Sequence, residues 1–170
     1  MDRTLRREVI SILVDNQANV LTRVAGLLGR RGLNIDSLTV STTNNPDISR
    51  ITIVFIGTDQ ALHQILSQME KLEVVQDIFT LEAKDSLFRE LLLLKIKAGQ
   101  KDRSAIREIV EIYRARIIDL SKTSMIVELT GAPEKLDGFM EMLNSYSIVE
   151  VCRTGMTAIE RGVREDGGSK

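Results

Sequence analysis

One cysteine, one histidine, two prolines and no tryptophan occur in 170 residues. Cys152 has no partner for an internal disulfide, and Cys152 with His63 is too small a set for a zinc site. A reducing, cytoplasmic setting is expected. With 2 Tyr and 4 Phe, base-stacking surfaces are scarce. Lys plus Arg number 23 against 24 Asp plus Glu, a formal net charge of -1, so the basic excess of a nucleic-acid binder is missing. No apolar run approaches the roughly 20 residues that cross a bilayer. The charged first seven residues lead into no signal-type apolar segment, so neither a leader nor a membrane role is expected. There is no GxSxG, P-loop, GxGxxG or HExxH motif. His63 reads as a surface residue of a helix and Cys152 as a buried structural thiol.

What the chain does have is a repeated pattern. Hydrophobic residues make up 43% and charged residues 28%, the balance of a folded globular chain. Four apolar quartets recur at i, i+3, i+4 and i+7: Leu21/Val24/Ala25/Leu28, Leu62/Ile65/Leu66/Met69, Ile106/Ile109/Val110/Tyr113 and Leu136/Phe139/Met140/Leu143. Each predicts an amphipathic helix. Thr58-Asp59 and Asp102 suit helix N-caps, Pro133 suits a first turn, and Gly32 after Arg30-Arg31 suits a stop. Between the helices, strands are expected at about 8–14, 34–42, 49–56, 74–81, 90–98, 116–120, 124–130 and 147–153. Asn44-Asn45-Pro46-Asp47 and Ser121-Lys122-Thr123 predict hairpin turns. The order strand–helix–strand–strand–helix–strand therefore occurs twice. The expected fold class is α+β, two tandem ferredoxin-like βαββαβ domains. The first spans 1–83, the second 84–160, and a solvated tail 161–170 follows.

Several strands are apolar on both sides. Ile10, Ile12 and Val14 oppose Val9 and Leu13; Ile51, Ile53 and Phe55 oppose Val54 and Ile56; Leu91 and Leu93 oppose Leu92, Leu94 and Ile96. Helices on one face of such a sheet leave the other needing cover. The cover must come from the other domain, a second copy or a different protein. A homodimer with a further partner surface is expected.

The candidate binding segment is Asp15-Asn16-Gln17-Ala18-Asn19-Val20-Leu21, a short polar link from the first strand to the first helix. A helix start presents unpaired N–H groups and partial positive charge, which suit a carboxylate. Asp15 and Asn16 carry oxygens that could accept from an ammonium group. Val20, Leu21 and Ile35 could line an apolar wall, and Asn34 could reach this loop or that of a symmetry mate. Together they suit a small apolar α-amino acid, although Asn16 and Asn19 would equally serve to turn and cap the chain.

Residues 27–40, Leu-Leu-Gly-Arg-Arg-Gly-Leu-Asn-Ile-Asp-Ser-Leu-Thr-Val, and 47–53, Asp-Ile-Ser-Arg-Ile-Thr-Ile, closely resemble the small regulatory subunit of acetolactate synthase (acetohydroxyacid synthase). Residues 89–96 and 148–155 are similar to that family's second domain. The resemblance implies that the first domain is an ACT domain, pairing side by side in a homodimer. It implies feedback inhibition by valine or another branched-chain amino acid at the interface. It also implies activation of a large catalytic subunit that carries thiamine diphosphate, Mg and FAD and condenses two pyruvates to 2-acetolactate. No cofactor is expected on this chain, nor a catalytic role of its own.

By resemblance, the effector loop falls on Asn16, Gln17, Ala18, Asn19, Val20 and Leu21, and the contact from the other subunit on Asn34 and Ile35. Asn19 departs from the pattern, which usually has glycine there. A glycine lets a ligand approach the backbone, whereas an asparagine side chain can cap the helix and compete with a ligand carboxylate. Weaker valine binding, or an effector that sits slightly differently, is the expectation, with activation of the catalytic subunit retained. A stand-alone ACT-type amino-acid sensor is the alternative function. A ferredoxin-like RNA binder is disfavoured by aliphatic central strands with Phe55 alone among them.

Overall fold

The computed structural model describes residues 5–29 and 34–162. The expected stop at Arg30-Arg31-Gly32 and residues 163–170 of the tail lie outside them. In chain order the elements are β1 (Arg6–Asp15), α1 (Val20–Gly29), β2 (Ile35–Thr42), β3 (Ile48–Gly57), α2 (Asp59–Met69), β4 (Val75–Thr80), β5 (Ser86–Lys97), α3 (Arg103–Ile112), β6 (Arg116–Leu120), β7 (Ser124–Gly131), α4 (Pro133–Met142), β8 (Ile148–Arg153) and β9 (Thr157–Glu160). The first sheet has the order β2-β3-β1-β4 and the second β6-β7-β5-β8, with β9 pairing β5 off that path. Both are antiparallel and follow the same ferredoxin-like order, so the repeat in the sequence is a repeat in space.

Contacts divide the chain into two compact units. One is Met1–Leu87 with Met156–Lys170, and the other is Phe88–Gly155. The first core joins Ile10, Ile12 and Val14 of β1 and Ile51, Ile53 and Phe55 of β3 to Val24 and Leu28 of α1 and Ile65 and Met69 of α2. The second joins Leu92, Leu94 and Ile96 of β5 to Ile106 and Val110 of α3 and Leu136 and Phe139 of α4. These are the helix stripes and strand faces that the apolar periodicity picked out, except in α1. There Leu21 is exposed and Val20 and Leu27 are buried, so the helix presents a rotated stripe.

Thr58 caps α2, its hydroxyl accepting from Ala61 N–H. Pro133 opens α4 as expected. Asp102 does not cap α3 with its side chain, because its backbone is already helical (φ -88°, ψ -20°) and a capping residue needs an extended one. The two expected turns form. Asp47 N–H donates to Asn45 Oδ1 in the first, and Ser124 N–H donates to Ser121 Oγ in the second.

The face of the first sheet away from its helices is polar and apolar by turns. Register places Ser37, Thr39 and Ser41 beside Val54, Thr52 and Arg50, and these beside Val9, Ser11 and Leu13. Val9, Ser11, Thr52 and Val54 are buried. The segment from Met156 onward belongs to this unit. Met156 N–H donates to Ser37 Oγ at 3.4 Å, and the Arg50 guanidinium donates to the Ala158 carbonyl at 3.3 Å while lying over the Phe79 ring. Part of the cover that this face needs is thus supplied by the segment from Met156 onward.

Candidate effector site

The β1–α1 loop is tied down by neighbours distant in sequence. Asp15 N–H donates to the Val74 carbonyl at 2.9 Å, and Gln17 N–H donates back to the Asp15 carbonyl at 2.9 Å. Asn16 is bound twice to the β2–β3 turn. Its backbone N–H donates to the Asp47 carbonyl at 2.7 Å, and its side-chain amide donates to the Pro46 carbonyl at 2.9 Å. A carbonyl can only accept, so this partner sets the amide's orientation and leaves Oδ1 as the acceptor suited to an ammonium group. Asp15 is more committed, since its Oδ1 accepts from Gln76 Nε2 at 2.6 Å. Nothing local in the sequence marks Pro46, Asp47, Val74 or Gln76 as braces of this loop. They arrive through strand pairing.

Asn19 stands at φ 69°. That is the left-handed region, not the extended backbone of a side-chain cap. Its carbonyl, rather than its side chain, joins the helix by accepting Arg23 N–H at 3.0 Å. The expected capping competition is therefore replaced by a backbone reason. A glycine takes this φ freely, and asparagine is among the side-chain-bearing residues that tolerate it best. A left-handed residue ahead of helical ones turns successive N–H groups toward one side, a concavity that suits an anion. The amides before Arg23 are those that a helix start leaves without intrahelical partners.

The apolar wall is supplied unevenly. Leu21 is 44% exposed beside the concavity, whereas Val20 is 5% exposed and committed to the core. Gln17 and Ala18 are exposed at the tip. Asn34 is exposed and Ile35 half-buried, but neither is near the loop within one protomer. Asp15 pairs with Ile48, whereas Ile35 pairs with Phe55, which faces Glu8 at the other end of β1. At about 3.4 Å per residue, those ends, Glu8 and Asp15, are roughly 24 Å apart. Six of the eight expected site residues come together, and two do not.

The second unit carries charges that hold structure. Glu90 is buried at the β5 edge of this network and meets Arg153 of β8 at 2.6 Å. Arg153 also reaches Asp137 and the Pro133 carbonyl at the start of α4. Burial alone would lower the guanidinium pKa; hydrogen bonds and charge from Asp137 and Glu90 outweigh it, so the pKa is raised. On the open face of the second sheet Lys95 donates to Glu150 at 2.6 Å. That hydrogen bond, then the Lys95 charge, holds the Glu150 carboxyl below its ordinary range. Leu93, Lys95, Ile126, Glu150 and Cys152 line a depression of about 140 Å³ there. Cys152 is exposed, contrary to the expected buried thiol. Its register partner Leu93 points away from the helices, and β8 is an edge strand. His63 is exposed on α2 as expected. Among the described residues no group of three or more His, Cys, Asp or Glu could hold a metal ion, and no helix is long and apolar enough to cross a membrane.

Comparison with known proteins covers both units. Residues 10–77 match the family described as AHAS small subunit-like ACT domain, and residues 89–162 match the family described as small subunit of acetolactate synthase. A probable acetolactate synthase small subunit of Archaeoglobus fulgidus is 43% identical over 157 residues, covering 92% of this chain and 98% of that one. An acetolactate synthase small subunit of Mycolicibacterium smegmatis is 41% identical over 161 residues, 95% of each. The crystal structure of the acetolactate synthase small subunit from Thermotoga maritima superposes with a TM-score of 0.86 at 36% identity, covering 93% of this chain and 99% of that one.

Proposed function

The chain belongs to the acetolactate synthase small-subunit family, and from that premise we propose that it is a regulatory subunit acting on a separate catalytic large subunit. It activates that subunit and confers feedback inhibition by valine or another branched-chain amino acid. Carboligation, with its thiamine diphosphate, Mg and FAD, belongs in this reading to the catalytic partner.

The observation that carries the effector part is the left-handed Asn19 at the start of α1, with Asn16 locked so that Oδ1 remains an acceptor. The ligand carboxylate takes the helix-start amides, the ammonium takes Asn16 Oδ1, and an aliphatic side chain lies against Leu21. The separation of Asn34 and Ile35 from the loop supports a site completed by a second copy, the arrangement of a homodimer. Such a seam suits regulation, because a ligand held by two subunits favours one relative orientation of them. The shift is limited to the ligand's differential affinity for the two states, commonly about 1–3 kcal/mol.

The test is reconstitution. Mixing this protein with the acetolactate synthase large subunit of the same source should raise acetolactate formation, and L-valine should lower it again. Calorimetry of the small subunit with L-valine reads binding separately. Binding without stimulation would favour a stand-alone amino-acid sensor instead.

A further inference from the structure

Gln76 owes its place to an irregularity in β4. Leu13 pairs with Asp77 and Val14 with Val75, so Gln76 is one residue more than β1 matches. Such a bulge turns a side chain out of the regular alternation, and bulges recur beside functional sites for that reason. Here the extra side chain is exposed, and its amide Nε2 donates to Asp15 Oδ1 at 2.6 Å. An ionised carboxylate only accepts, so the contact also fixes which way the amide points. The backbone repeats the tie through Asp15 N–H on the Val74 carbonyl at 2.9 Å.

What holds the Asp15 carboxylate is thus a neutral group. No Lys, Arg or His pairs with it among the described residues. Arg50 stands opposite Leu13, one row from Asp15 on the same face. Its guanidinium is turned to the Ala158 carbonyl over the Phe79 ring, and Phe79 lies opposite Ser11, a row further from Asp15. The distinction matters for charge. A cation would orient the carboxylate and cancel its field, whereas an amide orients it and leaves the negative charge in place. Asp15 is half-buried, so that charge is screened less than on open surface. It stands next to Asn16 in the chain, about 3.8 Å away along the backbone.

From this we infer that the Asp15 carboxylate selects the effector by charge, and that Gln76 is the positioning residue that holds it for that task. Asp15 acts through its field rather than by contact. The field favours a zwitterion whose ammonium lies at Asn16 Oδ1, and disfavours an anion of the same shape without the ammonium. The class accepted is a free α-amino acid, and the class rejected is the 2-oxo acid with the same side chain. The helix-start amides and Leu21 treat the two alike. Asn16 Oδ1 supplies one hydrogen bond to the first, and Asp15 adds the charge. This rests on the effector reading proposed above and adds what makes that site specific.

Calorimetry on the full chain tests it, with L-valine and with 3-methyl-2-oxobutanoate, the 2-oxo acid of the same skeleton, each titrated directly and the second also in displacement of the first. Wild type should prefer L-valine by more than about tenfold. Asp15→Asn keeps an acceptor for Gln76 and loses the charge. It should weaken L-valine about fivefold, tighten the 2-oxo acid, and so narrow the preference about tenfold. Gln76→Lys sets a cation on the carboxylate and should narrow the preference in the same direction, whereas Asp15→Glu should retain it. Gln76→Met frees the carboxylate and should narrow the preference about threefold, yet add nothing further in the Asp15→Asn background. A merely structural loss would weaken both ligands together and leave the preference unchanged. If wild type binds L-valine and Asp15→Asn discriminates as well as wild type, the charge selection is overturned and the effector reading stands. If Asp15→Asn narrows the preference but both Gln76 variants keep it, the role of Gln76 is overturned. If L-valine gives no heat with the wild type, the effector reading fails and this inference fails with it.

Discussion

At the scale of single residues, Asn19 and Arg153 carry the most consequence. Asn19 holds φ 69° with a side chain attached. A residue without asparagine's tolerance for that region should lose about 1 kcal/mol, so Asn19→Ala should unfold at lower urea, while Asn19→Gly should be neutral or slightly stabilising. Arg153 is the counter-charge of buried Glu90. Arg153→Ala removes that counter-charge and should cost about 2 kcal/mol by urea unfolding, less than for a fully buried pair because Arg153 is partly exposed. Arg153→Met combined with Glu90→Gln should cost less than the sum of the single changes. Glu150 titrates below an ordinary glutamate because of Lys95. Its ionised form is favoured in the folded chain, so this contribution is present above the unfolded-state pKa and is lost as pH falls through the lowered folded one. An NMR titration should find the Glu150 midpoint below the usual range, returning toward it in Lys95→Met and at high salt.

At the scale of elements, two helix starts that look alike in sequence behave differently. Thr58 has extended backbone, and its hydroxyl accepts Ala61 N–H; Asp102 is helical and caps nothing with its carboxylate. Thr58→Ala should cost about 1 kcal/mol and Asp102→Ala only a few tenths, a contrast that thermal melts of the two variants would read directly. Residue type alone cannot separate them, since capping depends on the φ and ψ that the preceding turn imposes. The α1 stripe shows the same limit. Its 3.6-residue period is plain in Leu21, Val24 and Leu28, yet Val20 and Leu27 go inward and Leu21 outward. The helix is rotated by what it packs on, and that rotation is what leaves Leu21 beside the candidate site.

At the scale of the molecule, Asn16 and Asn34 lie at opposite ends of one sheet. In the proposed homodimer a second copy brings the latter to the former. Asn16→Ala and Asn34→Ala should each abolish L-valine binding alone. Mixed and refolded together, they should regain one intact site per mixed dimer, read as calorimetric binding at a quarter of the wild-type site number in a statistical mixture. No recovery after verified mixing would mean that the two residues do not share a site.

The repeat, the eight main strands, the four helices and the polar loop before α1 were legible in sequence because each is local, set by periodicity, turn chemistry and an apolar face seeking cover. The tertiary structure alone decided that Asn16 is braced by Pro46 and Asp47, that β9 exists, that Cys152 is exposed, and that residues 156–162 return to the first unit. Those outcomes depend on strand register and on contacts across many residues, where no local periodicity carries information. Asn19 belongs to both levels. Its departure from the glycine that the resemblance implies was visible in the sequence, but the left-handed φ, which a glycine takes freely, became visible only once the backbone was in place.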